Sequence, residues 1–205
     1  MISIIDYQSG NLGAIVNMLK KIGAEARIIS KPAELEGATK IILPGVGTFD
    51  TGIQNLRAGG WEGQLEKKVL VDNVPTLGIC LGMQLMTGGS EEGKLEGLKW
   101  IDGFTHRFQF SNREALKVPH MGWNEATSQK ESKILRSLND QSKRFYFAHA
   151  YYVRLADPGD ELLSTTYGFP FSSGFERGNI MGLQFHPEKS HRFGLAVLKN
   201  FAENS

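Results

Sequence analysis

Cysteine is nearly absent. Cys80 is the single one in 205 residues, which excludes an intramolecular disulfide framework and any zinc cluster built on cysteine. Net charge is nearly absent too: Lys and Arg total 23 against 22 Asp and Glu, a formal +1, so the basic footprint of a nucleic-acid binder is missing. No run approaches the roughly 20 apolar residues that cross a bilayer. The opening Met1-Ile2-Ser3-Ile4-Ile5-Asp6 has neither the basic n-region nor the apolar length of a secretory signal. No membrane association is therefore expected, and a cytoplasmic location that keeps Cys80 reduced is. Linkers, repeats and low-complexity tracts are also lacking, so residues 1–205 are expected to form a single domain. Hydrophobic residues at 40% and charged ones at 22% are the mix of a folded soluble chain. What is in excess is glycine, 24 of 205, about 12% against an ordinary 7% or so. With no Gly-x-y period to absorb them, these glycines belong in turns.

The first half alternates short apolar runs with amphipathic stretches. Met1 to Asp6 reads as a buried strand, and Leu12, Ile15, Val16, Leu19 and Ile22 then recur at helical spacing up to Gly23. Ala26 to Ile29 and Lys40 to Leu43 are further strands, the second ending on Pro44-Gly45-Val46-Gly47, after which Phe49, Ile53 and Leu56 predict a helix. Val74 to Ile79 is another strand running into a helix start at Cys80 to Met86. Strands alternating with helices mean βαβ units and a parallel sheet, an α/β fold. From about Leu98 short apolar and aromatic runs take over: Phe104 to Phe110, Phe145 to Val153, Leu162 to Tyr167, Phe171 to Glu176 and Ile180 to Phe185. They predict an antiparallel or mixed extension of the same sheet, closed by a helix near Ser190 to Glu203, where Phe193, Val197 and Phe201 recur every four residues.

The sharpest local feature is Gly78-Ile79-Cys80-Leu81-Gly82, a Gly-x-Cys-x-Gly element where a buried strand gives way to a helix. This is the pattern of a nucleophile elbow: glycines on either side permit the tight turn and the close approach of strand and helix. A cysteine at a helix N-terminus has unpaired N–H groups and the helix dipole to stabilise its thiolate, and the Leu81 N–H is available to an oxyanion. On its own, Cys80 is equally well a small buried hydrophobe. A nucleophile needs a base, and the base an orienting group. His186-Pro187-Glu188, just after an apolar strand, offers both, with Glu188 able to fix the imidazole tautomer; taken alone, the same residues read as a surface histidine beside a solvated acid. The Gly45 to Gly47 turn ends a neighbouring strand and can supply a second N–H to an oxyanion hole. No His-x-x-x-His pair is present, so no metal and no other cofactor is expected, although His120, His149, His186 and Glu188 are potential ligands.

Together, the Cys elbow, His-x-Glu and Pro-Gly-Val-Gly resemble the class I (triad) glutamine amidotransferases. Within that family the likeness is to the glutaminase subunits of imidazole glycerol phosphate synthase. It runs the whole chain through Asp6-Tyr7 with Gly10-Asn11-Leu12, Leu43 to Gly47, Gly78 to Gln84, Pro119-His120-Met121-Gly122-Trp123-Asn124 and Gly182 to Ser190. The elbow and Phe-His-Pro-Glu are shared by many triad amidotransferases, whereas Pro-Gly-Val-Gly and Pro-His-Met-Gly-Trp-Asn are much more specific to this subunit. The resemblance implies a flavodoxin-like three-layer α/β fold with a central, mostly parallel sheet and a β-rich C-terminal extension. It implies L-glutamine as substrate, Cys80, His186 and Glu188 as the triad, and an oxyanion hole from the Leu81 N–H with an amide of Gly45, Val46 or Gly47. Gln84, His149 and Tyr151 match substrate-side positions, with Ala150 where serine is commoner in the family. Asn11, Trp123 and Lys189 match the face that meets a (β/α)8-barrel cyclase subunit (HisF-type) in a heterodimer. That subunit receives the ammonia and forms imidazole glycerol phosphate and aminoimidazole carboxamide ribotide.

A chain of this length has no room for an acceptor domain, so a partner is expected to take the ammonia. Low glutaminase activity is expected without it, because the glycine-rich Gly45 to Gly47 turn is free to point a carbonyl inward. Three other readings stay open. The chain can be a paralogous glutaminase that feeds another synthase, such as one amidating surface sugars, to which the Ser190-His191-Arg192-Phe193-Gly194 tail is similar. It can be a catalytically silent binding or regulatory subunit, or a Cys-elbow hydrolase acting on peptides.

Overall fold

The computed structural model describes residues 1–110, 116–136, 138 and 143–204. Its elements in chain order are β1 (Ile2–Ile5), α1 (Leu12–Lys21), β2 (Ala26–Ile29), β3 (Lys40–Leu43), α2 (Phe49–Ala58), α3 (Trp61–Glu66), β4 (Thr76–Ile79) and α4 (Leu81–Leu85). There follow β5 (Gly103–Arg107), β6 (His120–Glu125), β7 (Thr127–Ser128), β8 (Arg144–His149), β9 (Tyr151–Leu155), β10 (Glu161–Tyr167), β11 (Phe169–Arg177), β12 (Ile180–Leu183) and α5 (His191–Asn204).

The main sheet runs β2-β1-β3-β4-β12-β11-β10-β7. Its first five strands pair in parallel, the 2-1-3-4-5 order of a flavodoxin-like sheet, with the fifth place taken by β12, which arrives late in the chain. Beyond β12 the pairing turns antiparallel, and β9 carries β5 onto the same sheet. Period-2 alternation in the parallel strands divides the core into two layers. Ile2, Ile4, Ile42 and Leu77 pack against Ile15, Leu19, Val197 and Phe201 of α1 and α5. Ile5, Ile29, Ile41 and Leu43 pack against Phe49, Ile53, Leu56 and Trp61 of α2 and α3. Each of these side chains gives roughly 1.5–3 kcal/mol on full burial, and together they hold the strand ends that carry the site. Helix α1 is capped by Asn11, whose Oδ1 accepts the Ala14 N–H at 3.4 Å, and ends in Lys20 and Lys21 before a left-handed Gly23.

Two sequence expectations need correction. The run Phe145 to Val153 is not one strand: the chain bends at Ala150, β8 pairing with β6 and β9 with β5 and β11. The β-rich half is accordingly not a single sheet, because β6 and β8 form a separate two-stranded ribbon. Apolar residues continue through the bend since both ribbon and sheet bury them, so the pattern carries no mark of the break.

Candidate active site

The strand-to-helix turn after β4 holds Cys80 at φ 53°, ψ −108°, a region that side chains with a Cβ avoid and that costs on the order of 1–3 kcal/mol. The Cys80 N–H donates to Leu183 O at 2.7 Å, and its carbonyl accepts the Gln84 N–H at 3.2 Å. Both flanking glycines are sterically required. A Cβ on Gly82 would lie 1.8 Å from Leu43 O, and one on Gly78 would lie 2.8 Å from Met83 N. The helix that follows is only five residues long, so its dipole is weaker than a full helix start would provide, and stabilising a thiolate falls to the side chains around it.

Chief among these is His186. The register that sets Leu183 beside Ile79 lays the end of β12 against the elbow and so brings His186 to Cys80. The loop is pinned there: His186 N–H donates to Tyr146 O at 2.9 Å, while Ser190 Oγ donates to His186 O at 2.6 Å and accepts the Tyr146 N–H at 3.0 Å. His186 Nδ1 lies 2.8 Å from Glu188 Oε1, both side chains almost fully buried. A carboxylate there accepts a hydrogen bond from Nδ1–H and leaves Nε2 to face the sulfur. Burial alone would drive the ring neutral, but hydrogen bonds with Cys80 and Glu188, backed by their charges, outweigh it and raise His186 to about 10.

A buried amide relay lies beside the thiol. Gln84 Nε2 donates to Tyr151 O at 3.2 Å and to Gln184 Oε1 at 3.1 Å, which turns Gln184 Nε2 toward Cys80 Sγ at 3.8 Å. The nitrogen of Gln84 is thus spent inside the protein, and its oxygen is what it has to offer a substrate. Sequence reasoning gave Gln184 no role; it lies two residues before His186, in the bend that follows β12.

The cleft beside Cys80 has a volume of about 240 Å³ and is lined by Val46, Gly47, Leu81, Gln84, Glu92, Pro119 and Ala148 to Tyr151. Glu92, also unassigned from sequence, accepts the Phe49 N–H through Oε2 at 2.8 Å and puts a carboxylate in the lining. Nothing in the Ser90-Glu91-Glu92 pattern distinguishes it. His149 reaches the cleft, but both its nitrogens are engaged: Nδ1 on Tyr151 O at 2.6 Å and Nε2 on His120 Nδ1 at 3.0 Å. His120 Nε2 in turn faces Asn124 Nδ2 at 3.2 Å. Because a carbonyl only accepts, the chain has one polarity: His149 carries Nδ1–H, His120 carries Nδ1–H, and Asn124 donates to His120. Burial holds both rings neutral, with His120 pushed down to about 4 and His149 to about 3. These two histidines are a structural strut, and among the described residues no group of three or more His, Cys, Asp or Glu side chains converges as a metal site.

The turn expected to supply an oxyanion hole presents a carbonyl to the elbow. The Leu81 N–H donates to Gly45 O at 3.4 Å, and the Val46 N–H donates to Ser9 Oγ at 3.1 Å. Both N–H groups that the sequence offered to an oxyanion are therefore engaged within the protein.

Asn11, Trp123 and Lys189 do not line this cleft. Asn11 caps α1 at the surface. Trp123 stands on β6, 42% exposed, with Met121 two residues before it at 65%; its ring meets His191 at 5.2 Å and Tyr146 at 6.2 Å between centroids. Lys189 Nζ lies 5.8 Å from the Tyr146 ring centre. Trp123, Tyr146, Lys189 and His191 thus form one surface cluster.

The sequence matches the family described as glutamine amidotransferase class-I over residues 3–204. It is 48% identical to a Pseudomonas aeruginosa protein named imidazole glycerol phosphate synthase subunit HisH 2, over 99% of both chains. It is likewise 48% identical to a Methanococcus maripaludis protein of the same name, over the full length of both, and 43% identical to subunit HisH of Leptospira interrogans, over 98% of this chain and 99% of that one. Among solved structures, PurLQS from Thermotoga maritima superposes with a TM-score of 0.74 at 18% identity, covering 98% of this chain and 96% of that one. A putative GMP synthase protein from Thermoplasma acidophilum gives 0.72 at 21% identity, covering 98% and 91%; these two likenesses bear on fold alone.

Proposed function

Since the chain belongs to the class-I glutamine amidotransferases, we propose that it is the glutaminase subunit of an imidazole glycerol phosphate synthase, releasing ammonia from L-glutamine for a cyclase partner. The observation that carries this is the buried line from the strained Cys80 through His186 to Glu188 at the mouth of an amino-acid-sized cleft. The Cys80 thiolate attacks the side-chain amide carbon of glutamine, and the oxyanion is taken by the Leu81 N–H and an amide of the Gly45 to Gly47 turn once that turn has rotated. Protonated His186 gives its proton to the departing ammonia. The γ-glutamyl thioester is then hydrolysed by a water that the now neutral His186 deprotonates, and glutamate leaves with the thiolate restored. Glu188 holds the ring in one tautomer throughout. Gln184 supports the sulfur, Gln84 presents an oxygen and Tyr151 a wall to the substrate, and Glu92 is the counter-charge for its α-ammonium group.

Ammonia released into water at neutral pH is protonated and lost as a nucleophile, so it has to pass directly into the cyclase, a (β/α)8-barrel subunit paired with this chain in a heterodimer in the cytoplasm. Asn11, Trp123, Met121 and Lys189 are the proposed contact surface. No helix among the described residues is long and apolar enough to cross a membrane. Adding a HisF-type cyclase should raise glutamate release, and Cys80→Ala should abolish glutamine-dependent synthesis while leaving ammonia-dependent synthesis intact. Failure of any reactive glutamine analogue to label Cys80, with or without cyclase, would overturn the proposal.

A second reading keeps the glutaminase and changes the acceptor. His191, in the Ser190 to Gly194 tail, sits in a left-handed conformation (φ 47°) against Trp123, on the proposed docking surface. This points to a partner-specific contact, and a synthase outside the histidine pathway that stimulates where the cyclase does not would establish it.

A further inference from the structure

We propose that Asp50 is a positioning residue for substrate selection: it fixes the loop that carries Glu92, and so holds in place the carboxylate that receives the α-ammonium end of glutamine. This role rests on the glutaminase proposal and concerns the amino end of that same cleft.

Helix α2 and the loop from Ser90 to Leu95 exchange carboxylates. Glu92 Oε2 accepts the Phe49 N–H at the start of α2, at 2.8 Å. The next residue of the helix returns the contact: Asp50 Oδ1 accepts the Lys94 and Leu95 N–H groups, each at 3.0 Å, with Oδ2 also 3.0 Å from the Lys94 nitrogen. Between these bonds Gly93 lies against Asp50, since a Cβ there would fall 1.9 Å from Asp50 Oδ1. Only a residue without a Cβ lets the loop come this close to the carboxylate. Both acids stand at the N-terminal end of a ten-residue helix, an arrangement that the helix dipole supports.

The rest of the loop leaves Glu92 little freedom. The Glu91 N–H donates to Thr105 O at 2.9 Å, the Glu92 N–H to Ser90 Oγ at 3.1 Å and the Gly93 N–H to Ser90 O at 3.3 Å. With the bonds to Asp50, every backbone N–H from Glu91 to Leu95 is taken. The Glu91 side chain ties the loop to β5, its Oε1 2.9 Å from His106 Nδ1 and its Oε2 accepting the Arg107 N–H at 2.7 Å. Strand β5 therefore holds one end of the loop and Asp50 the other, with Glu92 between them in the cleft wall. Among the described residues no other Asp or Glu lines the cleft, and Glu92 Oε1 makes no hydrogen bond, which leaves it as the acceptor for a cation. A carboxylate held this firmly cannot turn away when the cation is missing, so a substrate lacking the ammonium group leaves it unpaired and is rejected. Asp50 does not line the cleft; it acts through Glu92.

The test compares L-glutamine with glutaramate, the same amide without the α-ammonium group, as substrates of the cyclase-stimulated enzyme. Asp50→Ala should raise KM for glutamine about tenfold with kcat within about twofold, and leave kcat/KM for glutaramate near the wild-type value, so that the preference for glutamine falls about tenfold. Asp50→Asn, which keeps an oxygen for the Lys94 and Leu95 N–H groups, should hold KM within about threefold of wild type. Asp50→Ser, a milder change should Asp50→Ala not fold, should lower the preference by about threefold or more. Because Asp50 acts through Glu92, adding Asp50→Ala to Glu92→Gln should lower the preference no further than Glu92→Gln alone. Equal losses on the two substrates, an unchanged KM for glutamine in both Asp50→Ala and Asp50→Ser, or additive losses in the double variant would overturn the role of Asp50 and leave the glutaminase standing. A wild type that hydrolyses no glutamine even with a cyclase would fail the glutaminase proposal itself and the role of Asp50 with it.

Discussion

Acid should destabilise this protein through its buried histidine strut. His120 and His149 are held neutral by burial, pushed down to about 4 and about 3, whereas both take up a proton near 6.5 once unfolded. The folded-state pKa values are depressed, so the stability they represent is present above about pH 6.5 and is lost as pH falls toward 4. Each histidine costs up to about 1.36 kcal/mol per pH unit in the steep part of that range, and integrating from pH 6.5 to pH 5 gives about 3 kcal/mol for the pair. His186 works in the opposite direction. Raised to about 10, it is already protonated in the folded chain across this window and returns less than about 0.5 kcal/mol. Against a total stability of roughly 5–15 kcal/mol, a net loss near 3 is readily measured. The assay is urea unfolding at stepped pH, followed by the fluorescence of buried Trp61 and Trp100. His120→Asn provides the control: its amide can donate to His149 Nε2 as His120 does, but cannot titrate, and it should remove about half of the pH slope. Stability that is flat between pH 6.5 and 5, or an unchanged slope in His120→Asn, would refute the reasoning.

Glu188→Gln should lower partner-stimulated kcat about a hundredfold or more while KM changes little, because the amide no longer supports the imidazolium charge or selects its tautomer; steady-state glutamate release checks it. Gly82→Ala should cost at least about 3 kcal/mol or yield no folded protein, since its Cβ meets Leu43 O at 1.8 Å; a wild-type urea midpoint would contradict this. Gln184→Glu keeps the bond from Gln84 but sets an acceptor in place of the donor facing Cys80. Alkylation of Cys80 by iodoacetamide at neutral pH should slow by about threefold or more, and an equal rate would show that the amide does nothing for the sulfur.

Much of the fold was legible before any coordinates. β2 and β3 begin and end where their apolar runs do, and α1 stops where its stripe meets Gly23. These boundaries are written by short-range physics: helical and strand periodicities, and glycine's tolerance of positive φ. The break at Ala150 was not legible, because both sides of it are apolar and only pairing partners distant in sequence tell β8 from β9. The site divides in the same way. Cys80 and the His186-x-Glu188 unit carry local patterns that advertise their chemistry. Glu92 reaches the cleft only through the path of a loop, and His149 turned out to spend both ring nitrogens on a strut that its sequence neighbours do not announce.

The sequence by itself therefore determined the parts: a turn that only glycines allow, a thiol on it, an imidazole with its acid, and a second turn flexible enough to hold either a carbonyl or an amide toward them. The tertiary structure decided how they are disposed. Parallel pairing of β12 with β4 sets His186 beside Cys80, and Ser9 Oγ hydrogen-bonds both backbone groups of Val46 in the turn after β3. Neither arrangement is encoded within the segment it controls, because each depends on hydrogen bonds to backbone far away in the chain.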